Sequence, residues 1–110
     1  MFGIVEHKRG RTRRAERLLR RALRHHEACP DAHNRLGVVL LQTGRVPDGV
    51  RHLQRALQLA PHDTSTLLHL AQAEALSDRH ERAERLLGQA AQLGADPELV
   101  AAVRREVRSA

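Results

Sequence analysis

The nine residues 11–19, RTRRAERLL, return at residues 79–87 as RHERAERLL, with seven of the nine identical. The two stretches lie 68 residues apart, which is twice 34, and a middle copy stands in the same register. The copies share a turn residue at Gly10, Gly44 and Asp78, a leucine at Leu19, Leu53 and Leu87, and an alanine at Ala22, Ala56 and Ala90. A fixed internal period of this length is typical of a repeat architecture, in which equivalent units stack on one another.

The composition is that of one helical domain. The chain has 110 residues, 41% of them hydrophobic and 29% charged, which fits a single folded domain without an apolar run long enough to span a membrane. Phe2 is the single aromatic residue and the apolar residues are mostly Leu, Ala and Val, which favours helices over sheets. Cys29 is the sole cysteine, so an intramolecular disulfide is impossible, and the first residues do not form a signal peptide. We therefore expect a cytoplasmic protein with no membrane insertion.

Each unit contains two amphipathic stretches on either side of a turn. The predicted helices cover residues 2–8, 12–26, 31–43, 46–59, 65–76, 79–93 and 97–108. The first unit is cut short, because its opening helix has room only for residues 2–8. The last helix has Asp96 as its predicted N-cap and Pro97 as its first residue, and its polar face would close the end of the stack. The pattern predicts an all-α fold of about seven helices.

The middle unit resembles the tetratricopeptide repeat, a 34-residue helix-turn-helix unit. The resemblance is carried by His33, Leu36-Gly37, Leu40, Gly49, Leu53, Ala56 and Pro61. It implies a right-handed superhelix, an α-solenoid of antiparallel helix pairs, formed by a single domain over residues 1–110. The repeats would cover residues 1–29 (truncated), 30–63 and 64–97, with a capping helix over 97–108. Glu6 and Glu74 depart from the pattern, because each occupies the repeat position at which the middle unit has a large apolar residue, Leu40.

The resemblance also implies a function, because the first helices of such units line a concave groove. The implied lining residues are Ile4, Lys8, Asn34, Val38, Leu41, Gln42, Leu68, Gln72, Ala75 and Leu76. This mixture of apolar side chains and amides suits a peptide or an amphipathic helix of a protein partner. The expected function is therefore that of a non-enzymatic interaction scaffold. The alternative for Val38, Leu41 and Leu68 is that they form core between the units.

A second hypothesis is electrostatic docking through the Arg-rich segment 11–26. The chain carries 19 Lys and Arg against 13 Asp and Glu, a net charge of +6. In this segment the predicted buried side is Ala15, Leu18, Leu19, Ala22 and Leu23, and the predicted outward basic ridge is Arg13, Arg17, Arg20 and Arg24. The ridge could hold nucleic acid or an acidic partner, and such binding would weaken with salt. Nucleic acid is the less favoured ligand, because the chain offers no aromatic platform for base stacking beyond Phe2.

A third hypothesis is self-association. The truncated first unit would expose Phe2, Ile4 and Val5, and an incomplete end layer of a repeat protein is a natural site for a second copy.

The resemblance argues against one class of ligand, the acidic C-terminal tails of chaperones. Family members that clamp the acidic C-terminal tails of chaperones use Lys, Asn and Arg at set groove positions. The matching positions here hold Ile4, Arg35, Ser65 and His69. Because Arg35 is the one cation of this set, we predict that the chain is not a carboxylate clamp.

The sequence favours neither a metal nor a cofactor. Of the eight histidines, His25 and His26 are adjacent and point to different sides of a helix, and no pair stands at the i, i+4 spacing that would share one face. His33 stands where the repeat has a large packed residue. The chain has no Gly-rich phosphate loop and no nucleophile elbow, so we predict no enzymatic activity. Glu74 is the one carboxylate expected to be partly buried, with a salt bridge to a neighbouring arginine as its expected role.

Overall fold

The fold was examined in a computed structural model, which describes the backbone of residues 2–109 and the side chains of residues 10–109. The described chain contains six helices and no strand. They are α1 (Phe2–His25), α2 (Pro30–Gln42), α3 (Val46–Leu59), α4 (Thr64–Leu76), α5 (His80–Gln92) and α6 (Pro97–Ser109). From α2 onward each helix begins and ends within one residue of its predicted limits.

The helix ends follow from local chemistry. The Asp63 side chain accepts a hydrogen bond from the backbone N–H of Ser65 at 3.1 Å and so caps α4. Asp96 does the same for α6 by accepting from the backbone N–H of Glu98 at 3.0 Å, which confirms the predicted N-cap. Gly44 lies in the turn that follows α2. Its φ of 82° is in the left-handed region, which glycine adopts without strain.

The first unit differs from the prediction, because the two expected helices over 2–8 and 12–26 are one continuous helix, α1. Gly44 and Asp78, at equivalent turn positions, have φ of 82° and 62°, whereas Gly10 lies inside α1. A seven-residue helix folded back on α1 would bury little apolar surface, and short helices are marginal without tertiary packing. Continuing the helix keeps the backbone hydrogen bonds along the chain. The predicted turn at Gly10 is therefore wrong, and the structure has six helices in place of about seven.

The core lies between the helices of the second and third units and α6. Its buried residues include the repeat-equivalent pairs Leu36 and Leu70, Leu53 and Leu87, and Ala56 and Ala90, and α6 adds Val100, Val103 and Val107. α2 and α3 approach each other closely, since a Cβ on Gly37 would lie 2.6 Å from Leu53 Cγ. Glycine at this position lets the two helices of the unit come together.

α1 is the least covered helix. Its predicted buried side, Ala15, Leu18, Leu19, Ala22 and Leu23, contains no fully buried residue, and Leu18 is 59% exposed. The physical reason is a difference in neighbours: among the described residues α3 packs against both α2 and α4, and α5 against both α4 and α6, while α1 packs against α2 alone. The predicted burial is thus wrong for Leu18 and Ala22, which are exposed, and holds only in part for the other three, which are half-buried.

Glu74 is buried in the position that Leu40 takes in the second unit, and only 1% of it is exposed. Its Oε2 atom lies 3.6 Å from Arg79 Nη1 and 3.8 Å from Arg82 Nε. The expected salt bridge to a neighbouring arginine is therefore confirmed, with two arginines taking part.

Candidate functional site

A groove runs along the face formed by α2, α4 and α6, and its volume is about 340 Å³. The first helices of the second and third units supply α2 and α4. The groove is lined by Val38, Leu41, Gln42, His69, Gln72, Ala75, Leu76, Glu106 and Val107. Six of the ten residues predicted from the resemblance are thus brought together here.

The groove combines apolar and amide side chains. Leu76 stands at its edge with 59% of its surface exposed, so its side chain adds accessible apolar surface to the groove. Gln72 Nε2 donates a hydrogen bond to Glu106 Oε2 at 2.8 Å, which ties the α4 side of the groove to α6. Such a surface can bury apolar side chains of a ligand and hydrogen-bond its backbone.

The predicted groove set missed His69, Glu106 and Val107. The sequence interpretation places His69 only in the tail-binding set and treats α6 only as a cap. The signal that identifies the two α6 residues is the repeat itself, since Val38, Gln72 and Glu106 follow one another at intervals of 34 residues. α6 therefore takes the place of a further first helix along the groove.

A hydrogen-bonded polar cluster lies next to the groove. His69 Nδ1 lies 2.9 Å from Asn34 Oδ1, and Asn34 Nδ2 donates to Ser65 Oγ at 3.4 Å. Because the amide oxygen can only accept, His69 Nδ1 carries the proton. Burial lowers the pKa of His69, although Asp63 opposes this effect, so the ring is neutral at pH 7. The predicted groove residue Asn34 is buried in this cluster and faces a neighbouring cavity between α1, α2 and α4.

Leu68 is a correction to the predicted site. It is only 4% exposed and packs in the core with Leu67, Ala71 and Leu87, so it does not line the groove. Leu41 has both roles, because it lines the groove while its Cδ2 lies 2.9 Å from where a Cβ on Gly49 would be.

Several predicted residues fall outside the described side chains. They are Ile4 and Lys8 of the groove, Phe2, Ile4 and Val5 of the predicted self-association surface, and Glu6.

The predicted basic ridge lies on the exposed side of α1. Arg13, Arg17 and Arg24 are exposed and form no ion pair with the residues that the structure describes. Arg20 differs, because its Nε lies 3.1 Å from Glu16 Oε2. Glu16 is held more closely by Arg45, whose hydrogen bond lowers the pKa of the Glu16 carboxyl. The ridge therefore presents three unpaired arginines and one that is paired.

His33 is packed, as the sequence predicted. His33 is buried, its Nε2 lies 2.7 Å from the carbonyl oxygen of Glu27, and its Nδ1 lies 3.1 Å from Nδ1 of His52. Among the residues described, no three His, Cys, Asp or Glu side chains are grouped so that they could hold a metal ion. No helix in this part of the chain is long and apolar enough to cross a membrane.

Comparisons with known proteins agree with the predicted fold. The family model of the tetratricopeptide repeat matches residues 1–64 and again residues 44–100. Among solved structures, the first TPR of Spaghetti (RPAP3) bound to the HSP90 peptide SRMEEVD superposes with a TM-score of 0.83 at 12% sequence identity. The superposition covers 97% of this chain and 85% of that chain, and it confirms the predicted all-α superhelix of helix pairs. No curated protein matches the sequence.

Proposed function

Because the chain belongs to the tetratricopeptide repeat family, we propose that it is a non-enzymatic interaction module that holds a segment of a partner protein in the groove between α2, α4 and α6. The observation that carries this proposal is the meeting of Val38, Leu41, Gln42, Gln72, Ala75 and Leu76 on one concave surface. These residues come from two separate helices. Leu41 and Ala75 also pack in the core, whereas Leu76 is 59% exposed at the edge of the groove.

The chemistry of the groove defines the ligand. A partner segment with two apolar anchors would bury them against Leu76 and Val38, each contributing about 1.5–3 kcal/mol. Glu106 supplies a carboxylate beside these anchors, which favours a basic or hydrogen-bond-donating residue in the partner segment. Because ordering the segment opposes binding, we expect a dissociation constant of about 1–100 µM.

The ligand in this proposal is not an acidic C-terminal tail. The positions that the resemblance assigns to tail binding include Ser65 and His69. Burial lowers the pKa of His69 and so disfavours a positive charge there, although Asp63 opposes this effect. Arg35 is already paired with Asp31, 3.1 Å away.

We expect no binding of the peptide SRMEEVD, the ligand in the structural neighbour, at concentrations up to about 100 µM, roughly −5.5 kcal/mol. Fluorescence anisotropy of the labelled peptide checks this expectation, and saturable micromolar binding would contradict it.

The groove is tested by capturing partners from a lysate of the source organism with the wild-type protein and two variants. Leu76→Asp places a charge at the groove edge, and Leu93→Asp makes the same change at a 43%-exposed leucine outside the groove. Substitutions at Leu68 or Leu41 are unsuitable, because both side chains pack in the core.

The proposal predicts a partner that Leu93→Asp retains and that Leu76→Asp loses by about tenfold, both after nuclease treatment. Circular dichroism establishes that both variants fold. Equal capture by the two variants would contradict the groove.

The second candidate is docking of nucleic acid or an acidic protein on the basic ridge, which is favoured by the three exposed, unpaired arginines Arg13, Arg17 and Arg24. It predicts that Arg13→Glu with Arg17→Glu abolishes capture while Leu76→Asp has no effect. Binding would also fall steeply as salt is raised.

A further inference from the structure

A second cavity lies beside the groove, between α1, α2 and α4, and its volume is about 690 Å³. Its apolar lining comes from Ala15, Leu18 and Leu19 of α1 and from Val38 and Val39 of α2. Asn34, Ser65 and His69 form a polar part of the wall whose groups bond one another. Leu18 is 59% exposed here, the same fraction as Leu76 in the groove.

The repeat provides an internal standard for this surface. Leu19 and Ala22 of α1 correspond to Leu53 and Ala56 of α3 and to Leu87 and Ala90 of α5. The four residues of α3 and α5 are completely buried, whereas Leu19 is half-buried and Ala22 is exposed. α3 packs between α2 and α4, and α5 packs between α4 and α6, whereas α1 packs against α2 alone among the described residues. A second neighbouring helix is therefore the element that would complete the burial of this side of α1.

The charge around the cavity restricts the kind of helix. Arg11, Arg14 and Arg21 lie seven, four and three residues from Leu18, so they share its side of α1. All three are exposed, and none forms an ion pair with a described residue. On the α2 side, the carboxylate of Asp31 is paired with Arg35 at 3.1 Å. The edge formed by α1 is therefore strongly positive.

This charge argues against a second copy as the occupant. A second copy would bring the same arginines and a net charge of +6 to a surface that is already positive. A helix with carboxylates along one edge would instead pair with Arg14 and Arg21.

We propose that the cavity between α1, α2 and α4 binds an amphipathic helix of a partner protein, with an apolar stripe against Leu18 and Leu19 and acidic residues along the edge that faces α1. The site adjoins the groove of the proposed function and shares Val38 and His69 with it, but its apolar wall on α1 lies outside the groove. The bound helix takes the place against α1 that α4 takes against α5.

The probe for this proposal is a synthetic helical peptide with leucines at i, i+3, i+4 and i+7 and glutamates on one flank. A matched peptide carries lysines in place of the glutamates. We expect the glutamate peptide to bind the wild type at least about tenfold more tightly than the lysine peptide, measured by anisotropy. Leu18→Asp should weaken its binding about tenfold, and Leu76→Asp, equally exposed, should leave it unchanged.

A charge-reversal variant distinguishes a loss of binding at this site from a loss of binding caused by unfolding. Arg14→Glu with Arg21→Glu should weaken binding of the glutamate peptide and strengthen binding of the lysine peptide. A misfolded variant cannot produce such a gain in binding. Equal binding of the two peptides by the wild type would overturn the proposal. So would sensitivity to Leu76→Asp in place of Leu18→Asp, which would place the helix in the groove. Light scattering that shows a dimer of the wild type and a monomer of Leu18→Asp would assign the cavity to a second copy.

Discussion

Glu74 is a carboxylate buried where the second unit has a fully buried leucine, Leu40. Arg79 and Arg82 lie 3.6 and 3.8 Å from its Oε2 atom, and both arginines are half-exposed. Replacing a buried ion pair by a well-packed apolar side chain is often neutral or stabilising. We therefore expect Glu74→Leu to raise the free energy of unfolding by about 1–3 kcal/mol in urea titrations.

The control for this prediction is Glu84→Leu, at a half-buried glutamate that pairs with Arg104 and should give little gain. A loss of stability in Glu74→Leu would mean that the ion pairs of Glu74 favour the fold by more than its burial costs.

The His33 and His52 pair makes stability depend on pH. His33 Nε2 lies 2.7 Å from the Glu27 carbonyl oxygen and can donate to it, and His33 Nδ1 lies 3.1 Å from Nδ1 of His52. Burial lowers the pKa of His52, and positive charge on His33, Arg20 and Arg51 lowers it further. A proton added to His52 is therefore disfavoured in the folded state.

A lowered pKa in the folded state means that the unfolded chain binds more protons in the interval between the two pKa values. Stability should therefore be complete above about pH 6.5 and fall as the pH drops through the folded-state pKa of His52. Urea midpoints measured across this range check the sign. His52→Gln should flatten the dependence in part, because His69 also has a lowered pKa and remains. An unchanged slope in His52→Gln, or stability that increases toward acid, would contradict this assignment.

At the scale of the element, α1 and α4 mark the limits of prediction from the sequence. The apolar spacing and the repeat located the limits of α2 to α6 within one residue, because amphipathic helices with one buried face show a clear periodicity. The resemblance implied most of the groove. α4 lacks that contrast, since α2, α3, α5 and α6 all pack on it and nearly every side is buried. Leu68 was consequently assigned to the groove although it faces the core. The error in α1 has a different origin. A turn residue permits a turn, but the chain turns there only when the packing that results is more stable than a continuous helix.

The continuity of α1 is tested with two glycines at equivalent positions of the repeat. A Cβ on Gly10 or on Gly44 would meet no atom within 4 Å, so the two sites differ only in backbone conformation. Gly10→Ala, inside a helix, should stabilise the protein by about 0.5–1 kcal/mol. Gly44→Ala, at φ 82°, should destabilise it by about 1–2 kcal/mol. If both substitutions destabilise the protein to a similar extent in urea titrations, the first unit folds back at Gly10 and α1 is two helices.

At the scale of the whole molecule, two of the accessible apolar surfaces among the described residues adjoin a cavity. One is the groove with Leu76, and the other is the side of α1 with Leu18. The groove was foreseen because the resemblance implies that the first helices of the units line it. The cavity beside α1 was not, because it depends on how completely neighbouring helices cover one another, which the pattern of one helix does not contain.

The measurement that tests the groove most directly is site-specific photo-crosslinking to the partner captured by the wild type. The photoreactive residue p-benzoylphenylalanine replaces Gln42 in the groove, Arg17 on the basic ridge, or Gln58, which lies on neither. Binding in the groove predicts an adduct from position 42 that maps to one short segment of the partner, with none from positions 17 and 58. An adduct from position 17 alone would show that the partner docks on the arginines and that the groove is not its binding site.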